Sequence, residues 1–228
     1  MTLSVIVPFF NEENTLDQSI KRLLEIPIFE KIYLVDDCST DNSLYIAKKL
    51  ESVYPNIVLS STSANSGKGG ALTSLVGKIE SSHVVIHDAD LEYFPEDLIE
   101  LNKISEINPS SLIIGSRFIG NQKRTNLYKR TFFANKFLSK IFSILYNVEI
   151  SDIATCYKLM PSNFFNKVEL VEKGFAIEIE LVAKFLKYNK HIHEVPISYE
   201  GRSYEEGKKI KVSDGIMYIV NTLKYRFI

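Results

Sequence analysis

The chain has 228 residues, of which 45% are hydrophobic and 24% charged, as is ordinary for a globular domain. Its formal net charge is −1, whereas nucleic-acid-binding domains usually carry a basic excess, so nucleic acid is not an expected partner. Cys38 and Cys156 form no CxxC pair, which disfavours a zinc site or a disulfide framework and favours a reducing, cytoplasmic compartment. No run of about 18 apolar residues occurs, so we expect no transmembrane helix.

The first half of the chain alternates between buried strands and amphipathic helices. Continuous apolar runs predict strands at 3–10, 31–37, 56–62, 83–90 and 111–118, and helical patterns lie between them at 12–26, 41–53, 69–81 and 95–106. This alternation predicts an α/β fold with a mostly parallel sheet covered by helices on both faces.

The second half has a different pattern. A long helical segment at 126–148 carries many aromatic residues with lysines and arginines between them, and further helices are predicted at 176–189 and 213–228. A strand is predicted at 191–201, followed by a polar loop at 202–211. The basic, aromatic helix is typical either of a membrane interface or of a packed helix whose lysines face water.

Two carboxylates follow the fourth predicted strand. Asp88 and Asp90 repel each other unless a cation lies between them or one takes a proton. Ligands of parallel α/β sheets bind beyond the carboxyl ends of the strands, and Mg²⁺ is commonly held there by one or two carboxylates with substrate phosphates. The pattern indicates a metal–diphosphate site, with a solvated turn as the structural alternative.

Other strands also end in polar residues. Asp37 ends the second strand and is suited to a base edge or a ribose hydroxyl, or, with Ser39, to capping the next helix. Lys68 lies in the glycine-rich loop "NSGKGG", where backbone N–H groups approach an anion closely. Arg117 follows the fifth strand, and its guanidinium suits either a phosphate or a salt bridge to Asp88 or Asp90.

The order and spacing of these motifs resemble a known family. "SVIVPFFNEENTL", "VDDCSTDNS", "NSGKGGAL", "HDADLEYFPEDL" and "IIGSRF" resemble the family 2 glycosyltransferases, especially dolichyl-phosphate mannose synthase and the bacterial polyprenyl-phosphate glycosyltransferases. "SDIATCYKLM" and "EVPISYEGRSYEEGKKI" are similar to two later segments of that branch. The resemblance implies one GT-A domain over 1–228, with a nucleotide-sugar-binding half at 1–118 and an acceptor-side half with C-terminal helices at 119–228.

The resemblance also implies a nucleotide-sugar donor, Mg²⁺ or Mn²⁺, and a role for each matching position. These are Pro8, Asn11 and Glu12 at the nucleotide, Asp37 and Ser39 at the base or ribose, Lys68 in the nucleotide loop, Asp88 and Asp90 at the ribose and metal, Arg117 at the diphosphate, Arg130 at a lipid phosphate, and Arg202 and Lys208 in a closing loop. The chain departs from the family pattern at His87, before the D-x-D, and at Ala134, where a serine is usual.

The expected reaction is transfer of a sugar from a UDP- or GDP-sugar with inversion at the anomeric carbon. Asp90 and Arg117 are expected to act on the leaving diphosphate. A polyprenyl-phosphate acceptor is already a nucleophilic anion, whereas a glycan hydroxyl would require a general base, for which Asp152 is the candidate. The acceptor stays open between these two. Without a membrane span, the expected protein is either a peripheral membrane protein or a soluble one that a membrane partner holds.

Two other classes are less consistent with the sequence. Nucleotidyltransferases on similar sheets usually have a glycine- and arginine-rich loop after the first strand, where this chain has "PFFNEENTL". A catalytically silent binding scaffold is disfavoured because the acidic pair and the arginines Arg117 and Arg202 are present.

Overall fold

A seven-stranded sheet forms the centre of the protein in the computed structural model, which describes residues 1–126, 128–202 and 212–228. Its strands have the order β3-β2-β1-β4-β7-β5-β8, and β6 pairs with β9 in a separate small sheet. The strands are β1 (Leu3–Phe9), β2 (Phe29–Asp36), β3 (Ile57–Ser61), β4 (His83–Ile86), β5 (Leu112–Ser116), β6 (Arg124–Thr125), β7 (Lys158–Pro161), β8 (Ile192–Pro196) and β9 (Tyr199–Glu200).

Helices flank the sheet, as the alternating pattern predicts. They are α1 (Leu16–Leu24), α2 (Ser43–Val53), α3 (Gly67–Thr73), α4 (Asp97–Ile107), α5 (Lys129–Tyr146), α6 (Ser162–Phe165), α7 (Ile177–Tyr188) and α8 (Val212–Phe227). The predicted helices in the first half are all present, although α3 ends at Thr73 rather than at residue 81. The α/β prediction is confirmed.

The central strands are apolar along their whole length because both faces of the sheet are covered. Every residue of β1 and β4 is buried, as expected of parallel strands with helices packed above and below. β1 lies parallel to both β2 and β4, with Val5 opposite Ile32 on one side and Val85 on the other. The carboxyl ends of these three strands therefore meet at one edge of the sheet.

Two details of the sheet differ from the prediction. Segment 151–160 was given no element, but its end forms β7, which lies antiparallel between β4 and β5. β7 has four residues and begins with a lysine, so it shows neither the length nor the apolar run of the other strands. The strand predicted at 83–90 ends at Ile86, so Asp88 and Asp90 lie in the following turn and not on the strand itself.

The last two long helices, α5 and α8, pack against each other. The Tyr146 hydroxyl donates a hydrogen bond to the Thr222 carbonyl at 3.1 Å, and Arg226 donates to the Leu145 carbonyl at 2.7 Å. Phe142 of α5 is fully buried. Other apolar side chains on the two helices are exposed, namely Phe133, Phe137, Ile144, Met217, Val220, Leu223 and Phe227. Within the described ranges, no helix is both long and apolar enough to cross a membrane.

Candidate active site

A cleft of about 680 Å³ opens at the carboxyl ends of β1, β2, β4 and β5. Nine of the predicted site residues line it: Pro8, Glu12, Asp37, Lys68, Asp88, Asp90, Arg117, Arg130 and Arg202. Asn11, Ser39 and Asp152 are not part of its lining, and Lys208 lies outside the described residues. The sheet topology thus brings together residues that are up to 194 positions apart in the chain, from Pro8 to Arg202.

Lys68 neutralises Asp88. Its ammonium lies 2.7 Å from Asp88 Oδ1 and 2.7 Å from Glu178 Oε1. Burial is the largest single effect and would raise the pKa of Asp88, but the charge and hydrogen bond of Lys68, together with smaller effects of Cys156 and His87, lower that pKa below its ordinary value. Burial also opposes the charge of Lys68, yet Asp88 foremost keeps the pKa of the ammonium well above its ordinary value. The two groups therefore form an ion pair at the base of the cleft.

Asp90 has no such close counter-charge. The Arg202 guanidinium lies 4.0 Å from its Oδ2, and the Glu92 backbone N–H donates to Oδ1 at 3.1 Å. Burial, followed by the charges of Glu92 and Asp88, raises the pKa of Asp90 to about 8. A nearby cation favours the ionised form of a carboxyl group, so a further cation that approached Asp90 would lower its raised pKa.

The acidic pair fits a divalent cation that is shared with a ligand. Among residues 1–126, 128–202 and 212–228, no three His, Cys, Asp or Glu side chains form a group that could hold a metal ion. Mg²⁺ commonly takes only one or two carboxylates and completes its shell with phosphate oxygens and water. Asp90, which lies 4.0 Å from the Arg202 guanidinium, and Asp88 provide carboxylates of this kind.

Asp37 holds the glycine-rich loop in place. Its carboxylate accepts hydrogen bonds from the Thr62 hydroxyl, from the Ser66 N–H and hydroxyl, and from the Gly67 N–H, at 2.6–3.1 Å. Gly67 has a φ of +73°, a conformation that glycine adopts without strain. Gly69 packs directly against the backbone of Glu172 and Lys173, and its N–H donates to the Lys173 carbonyl at 2.6 Å. Asp37 thus fixes the segment that carries Lys68.

Asn11 and Ser39 join the first two loops rather than facing the cleft. The Ser39 hydroxyl accepts from the Asn11 N–H at 3.1 Å, and the Asn11 side chain accepts from the Thr40 N–H at 2.8 Å. Asn11 has a φ of 53°, which asparagine tolerates better than most residues. Their predicted contact with a nucleotide finds no support in this geometry, and their visible role is to align the loops that follow β1 and β2.

Arg117 is bound by Asp152, not by the acidic pair. Its Nε and Nη2 donate to the two Asp152 oxygens at 2.7 and 2.9 Å, and its backbone N–H donates to Oδ2 at 3.1 Å. Asp152 is fully buried, and its oxygens are occupied by Arg117. The general-base role of Asp152 stays a prediction, and in this structure its carboxylate binds Arg117 and does not line the cleft. The alternative that Arg117 forms a salt bridge to Asp88 or Asp90 is wrong, because its salt-bridge partner is Asp152.

Aromatic rings complete the setting of Arg117. Its guanidinium carbon lies 5.0 Å from the ring centre of Tyr199, 5.6 Å from that of Phe118 and 6.0 Å from that of Tyr93. Such stacking favours a fixed guanidinium. The carboxylate and the rings together orient Arg117 at the cleft wall.

Arg202 connects the first and last segments of the site. Its Nη2 donates to Glu12 at 2.9 Å, and its Nε donates to the Asp90 carbonyl at 2.8 Å. The Glu92 carboxylate accepts from the Arg202 N–H at 2.9 Å and also from the Tyr199 hydroxyl. Glu92 and Tyr199 were not among the predicted site residues, although Glu92 lies in "HDADLEYFPEDL" and Tyr199 in "EVPISYEGRSYEEGKKI".

His87 is a buried packing residue. Its Nδ1 lies 3.0 Å from the Tyr157 hydroxyl, and its Nε2 lies 3.2 Å from the Ser19 hydroxyl. Burial lowers the pKa of His87 to about 4, against a smaller opposing effect of Asp88. The ring is therefore neutral at physiological pH, and both of its nitrogens face hydroxyl groups rather than the cleft.

The far end of the cleft is apolar and is built from α5, α8 and the segment before α7. The lining residues there are Arg130, Thr131, Ala134, Asn135, Phe137, Leu138, Phe175, Gly215, Tyr218 and Ile219, most of which are apolar. The described charged residue of this group is Arg130, on the first turn of α5. One cleft thus joins a strongly charged end to an apolar end with an arginine at its wall.

Comparison with protein-family models gives a match to "Glycosyl transferase family 2" over residues 4–169. The chain belongs to glycosyltransferase family 2. The matched region includes β1 to β5, β7 and every strand end that contributes an acidic residue to the cleft. The protein is therefore a glycosyltransferase.

Two curated relatives are lipid-phosphate mannosyltransferases. The chain is 29% identical over 213 residues to the dolichol-phosphate mannosyltransferase of Pyrococcus furiosus, a match that covers 91% of this chain and 59% of that protein. It is 24% identical over 233 residues to the undecaprenyl-phosphate mannosyltransferase of Micrococcus luteus, covering 99% of this chain and 94% of the relative.

Solved structures establish the fold of this glycosyltransferase as GT-A. The glucosyl-3-phosphoglycerate synthase of Mycobacterium tuberculosis, solved with Mn²⁺, UDP and glucosyl-3-phosphoglycerate, superposes with a TM-score of 0.74 at 16% identity. The match covers 100% of this chain and 80% of that structure. The same enzyme was also solved with Mg²⁺ and UDP, at a TM-score of 0.73. Divalent metals therefore occur in this fold together with the nucleotide.

Proposed function

We propose that this family 2 enzyme transfers a sugar, with inversion, from a UDP- or GDP-sugar to a polyprenyl phosphate or a related cell-envelope acceptor. The observation that carries the proposal is the single cleft with two unlike ends. The charged end suits a nucleoside diphosphate, and the apolar end with Arg130 suits a lipid phosphate. The names of the two mannosyltransferase relatives agree with this acceptor class.

At the donor end, Asp90 and Asp88 would hold Mg²⁺ or Mn²⁺. Such an ion neutralises charge on the leaving diphosphate when it is bound. Arg117, which Asp152 and three aromatic rings hold in place, provides a fixed positive charge at the same end of the cleft. Charges that are positioned before the reaction stabilise a leaving anion without reorganisation.

The acceptor step needs no base if the acceptor is a phosphate. A phosphate oxygen attacks the anomeric carbon from the face opposite the nucleotide, the bond from that carbon to the diphosphate breaks, and the nucleoside diphosphate leaves with the electron pair. Asp152, the candidate base for a hydroxyl acceptor, is occupied by Arg117. Glu12 is likewise paired with Arg202, and Asp88 and Glu178 are paired with Lys68. This pairing favours a phosphate over a hydroxyl acceptor.

Peripheral contact with a membrane is part of the proposal. The apolar end of the cleft is built by α5 and α8, and the same two helices expose seven large apolar side chains. Lys224 and Arg226 lie in the last turn of α8. Apolar side chains with adjacent basic groups are typical of helices that lie in an anionic bilayer surface. Binding to anionic liposomes at low salt would support this contact, and indifference to them would contradict it.

The donor assignment is tested by thermal shift with Mn²⁺ and a panel of nucleotide sugars. A ligand that binds only the native state raises its stability, so we expect one donor to raise Tm in the wild type and not in Asp90→Ala. Radiolabelled transfer from that donor to undecaprenyl phosphate, against a panel of hydroxyl acceptors, then identifies the acceptor class. No shift with any UDP- or GDP-sugar would refute the donor site and favour a silent scaffold.

A further inference from the structure

Four charges of alternating sign run from the cleft into the core. Asp88 is paired with Lys68, Lys68 with Glu178, and Glu178 with Lys158. We call these four residues the charge ladder. The Lys158 ammonium also donates to the Thr155 carbonyl. The first three residues line the cleft, whereas Lys158 does not.

The inner half of the charge ladder is almost completely shielded from solvent. The side chain of Lys158 is 0% exposed and that of Glu178 is 2% exposed, compared with 9% for Lys68 and 22% for Asp88. A buried charge is tolerated only when it is paired. The four groups sum to zero charge, so each inner residue determines how much charge its neighbour presents towards the cleft.

Lys158 has a specific effect on Lys68 through Glu178. Glu178 directs one carboxylate oxygen to each lysine. If Lys158 were uncharged, Glu178 would be countered by Lys68 alone, and the ladder would present one net negative charge below the cleft. If Glu178 were uncharged, the ladder would present one net positive charge. A net negative charge there would weaken the binding of an anion beside Lys68, and a net positive charge would strengthen it.

We propose that Lys158 and Glu178 are positioning residues that fix the Lys68 ammonium and set the charge it presents to the donor diphosphate. The inference rests on the proposed function and adds two residues to the donor site. It also gives a role to the segment "SDIATCYKLM", whose lysine is Lys158.

The test is the Kd of UDP or GDP with Mn²⁺, measured by titration calorimetry at constant ionic strength. Lys158→Met should weaken binding by roughly tenfold, the effect of one unit charge at about 12 Å with an effective dielectric constant of about 20. Glu178→Gln, which leaves one net positive charge, should tighten binding by a similar factor. The double variant, which restores neutrality, should return to within about threefold of wild type.

The matched control is Lys184→Met. Lys184 pairs with the buried Glu180 on the same helix α7, at 2.7 Å, and neither residue lines the cleft. This variant removes a lysine from a buried carboxylate as Lys158→Met does, but it should leave the Kd unchanged. Circular dichroism establishes that each variant is folded at the temperature of the titration.

The outcomes separate the inference from the proposed function. If the wild type binds neither nucleotide, the donor site itself is refuted. If the wild type binds and both single variants weaken binding alike, the ladder is only structural and the inference is overturned. If Lys158→Met does not fold, Glu178→Gln against the double variant decides, because the double variant should bind roughly tenfold more weakly. Equal affinities there would also overturn the inference.

Discussion

We predict that Asp90, the proposed metal ligand, lowers the free energy of unfolding of the metal-free protein at neutral pH. Its pKa is raised from 3.8 to about 8 in the folded state, so the folded protein binds more protons than the unfolded chain between these values. Stability therefore falls as pH rises through this window. Asp90→Asn removes the penalty, and we expect this variant to be more stable than wild type at pH 7 when no metal is present.

The magnitude follows from the width of the window. About three pKa units separate 3.8 from pH 7, and each corresponds to about 1.4 kcal/mol, which sets an upper limit of about 4 kcal/mol. A quarter of the Asp90 side chain is exposed, so water screens part of the penalty and about 2 kcal/mol is expected. For a domain of this size that raises Tm by about 4–8 °C.

The neighbouring carboxyl provides a control of opposite sign. Lys68 lowers the pKa of Asp88, so Asp88 contributes stability above pH 4 that is lost as the pH falls. Asp88→Asn should therefore lower Tm at pH 7. Differential scanning calorimetry from pH 4 to 8 measures both variants, and adding Mn²⁺ with the nucleotide should raise Tm in wild type but not in Asp90→Asn. If Asp90→Asn were less stable than wild type at pH 7, or if the two variants shifted in the same direction, the reasoning would be refuted.

Three further predictions concern other parts of the site. Asp152→Asn should cost about 3–5 kcal/mol by urea unfolding because it leaves Arg117 buried and unpaired, and adding Arg117→Met should recover part of the loss. Gly69→Ala would place a Cβ 1.9 Å from the Glu172 carbonyl oxygen, so it should cost about 1–3 kcal/mol and weaken nucleotide binding, whereas Gly174→Ala, with nothing within 4 Å, should not. Exclusion of the proton from His87 on folding should cost about 3 kcal/mol between pH 6.5 and 4, opposite in sign to the Asp90 effect, so the loss should appear in the Asp90→Asn background and His87→Gln should remove it there.

The strands of the first half could be predicted because burial on both faces leaves a direct sequence signal. Leu3–Phe9 and Leu112–Ser116 are apolar or small along their length and end where polar loops begin. The position of the cleft followed from the same signal, since ligands of parallel sheets bind beyond the carboxyl ends of the strands. No such signal marks β7, because four residues that begin with a lysine resemble a loop.

Individual roles within the cleft were harder to predict than its location. Asp152 follows a helix in sequence and resembles a free carboxylate, but Arg117, 35 positions earlier, occupies both of its oxygens. Asp37 resembles a ligand-binding acid, yet its carboxylate holds the loop that carries Lys68. Partners that are distant in sequence decide these roles, and periodicity contains no information about them.

Helix α7 shows where hydrophobic patterning fails for a physical reason. Glu178 and Glu180 are two positions apart, so they point to different sides of the helix, and a pattern of polar residues predicts that at least one faces water. Both are buried, because Lys68 and Lys158 meet one and Lys184 meets the other. A helix buried on several sides can keep acidic residues only if lysines from other turns or segments reach them. An acid within an apolar helix, together with a lysine in a short buried strand such as β7, is therefore a sequence signal for a buried ion pair.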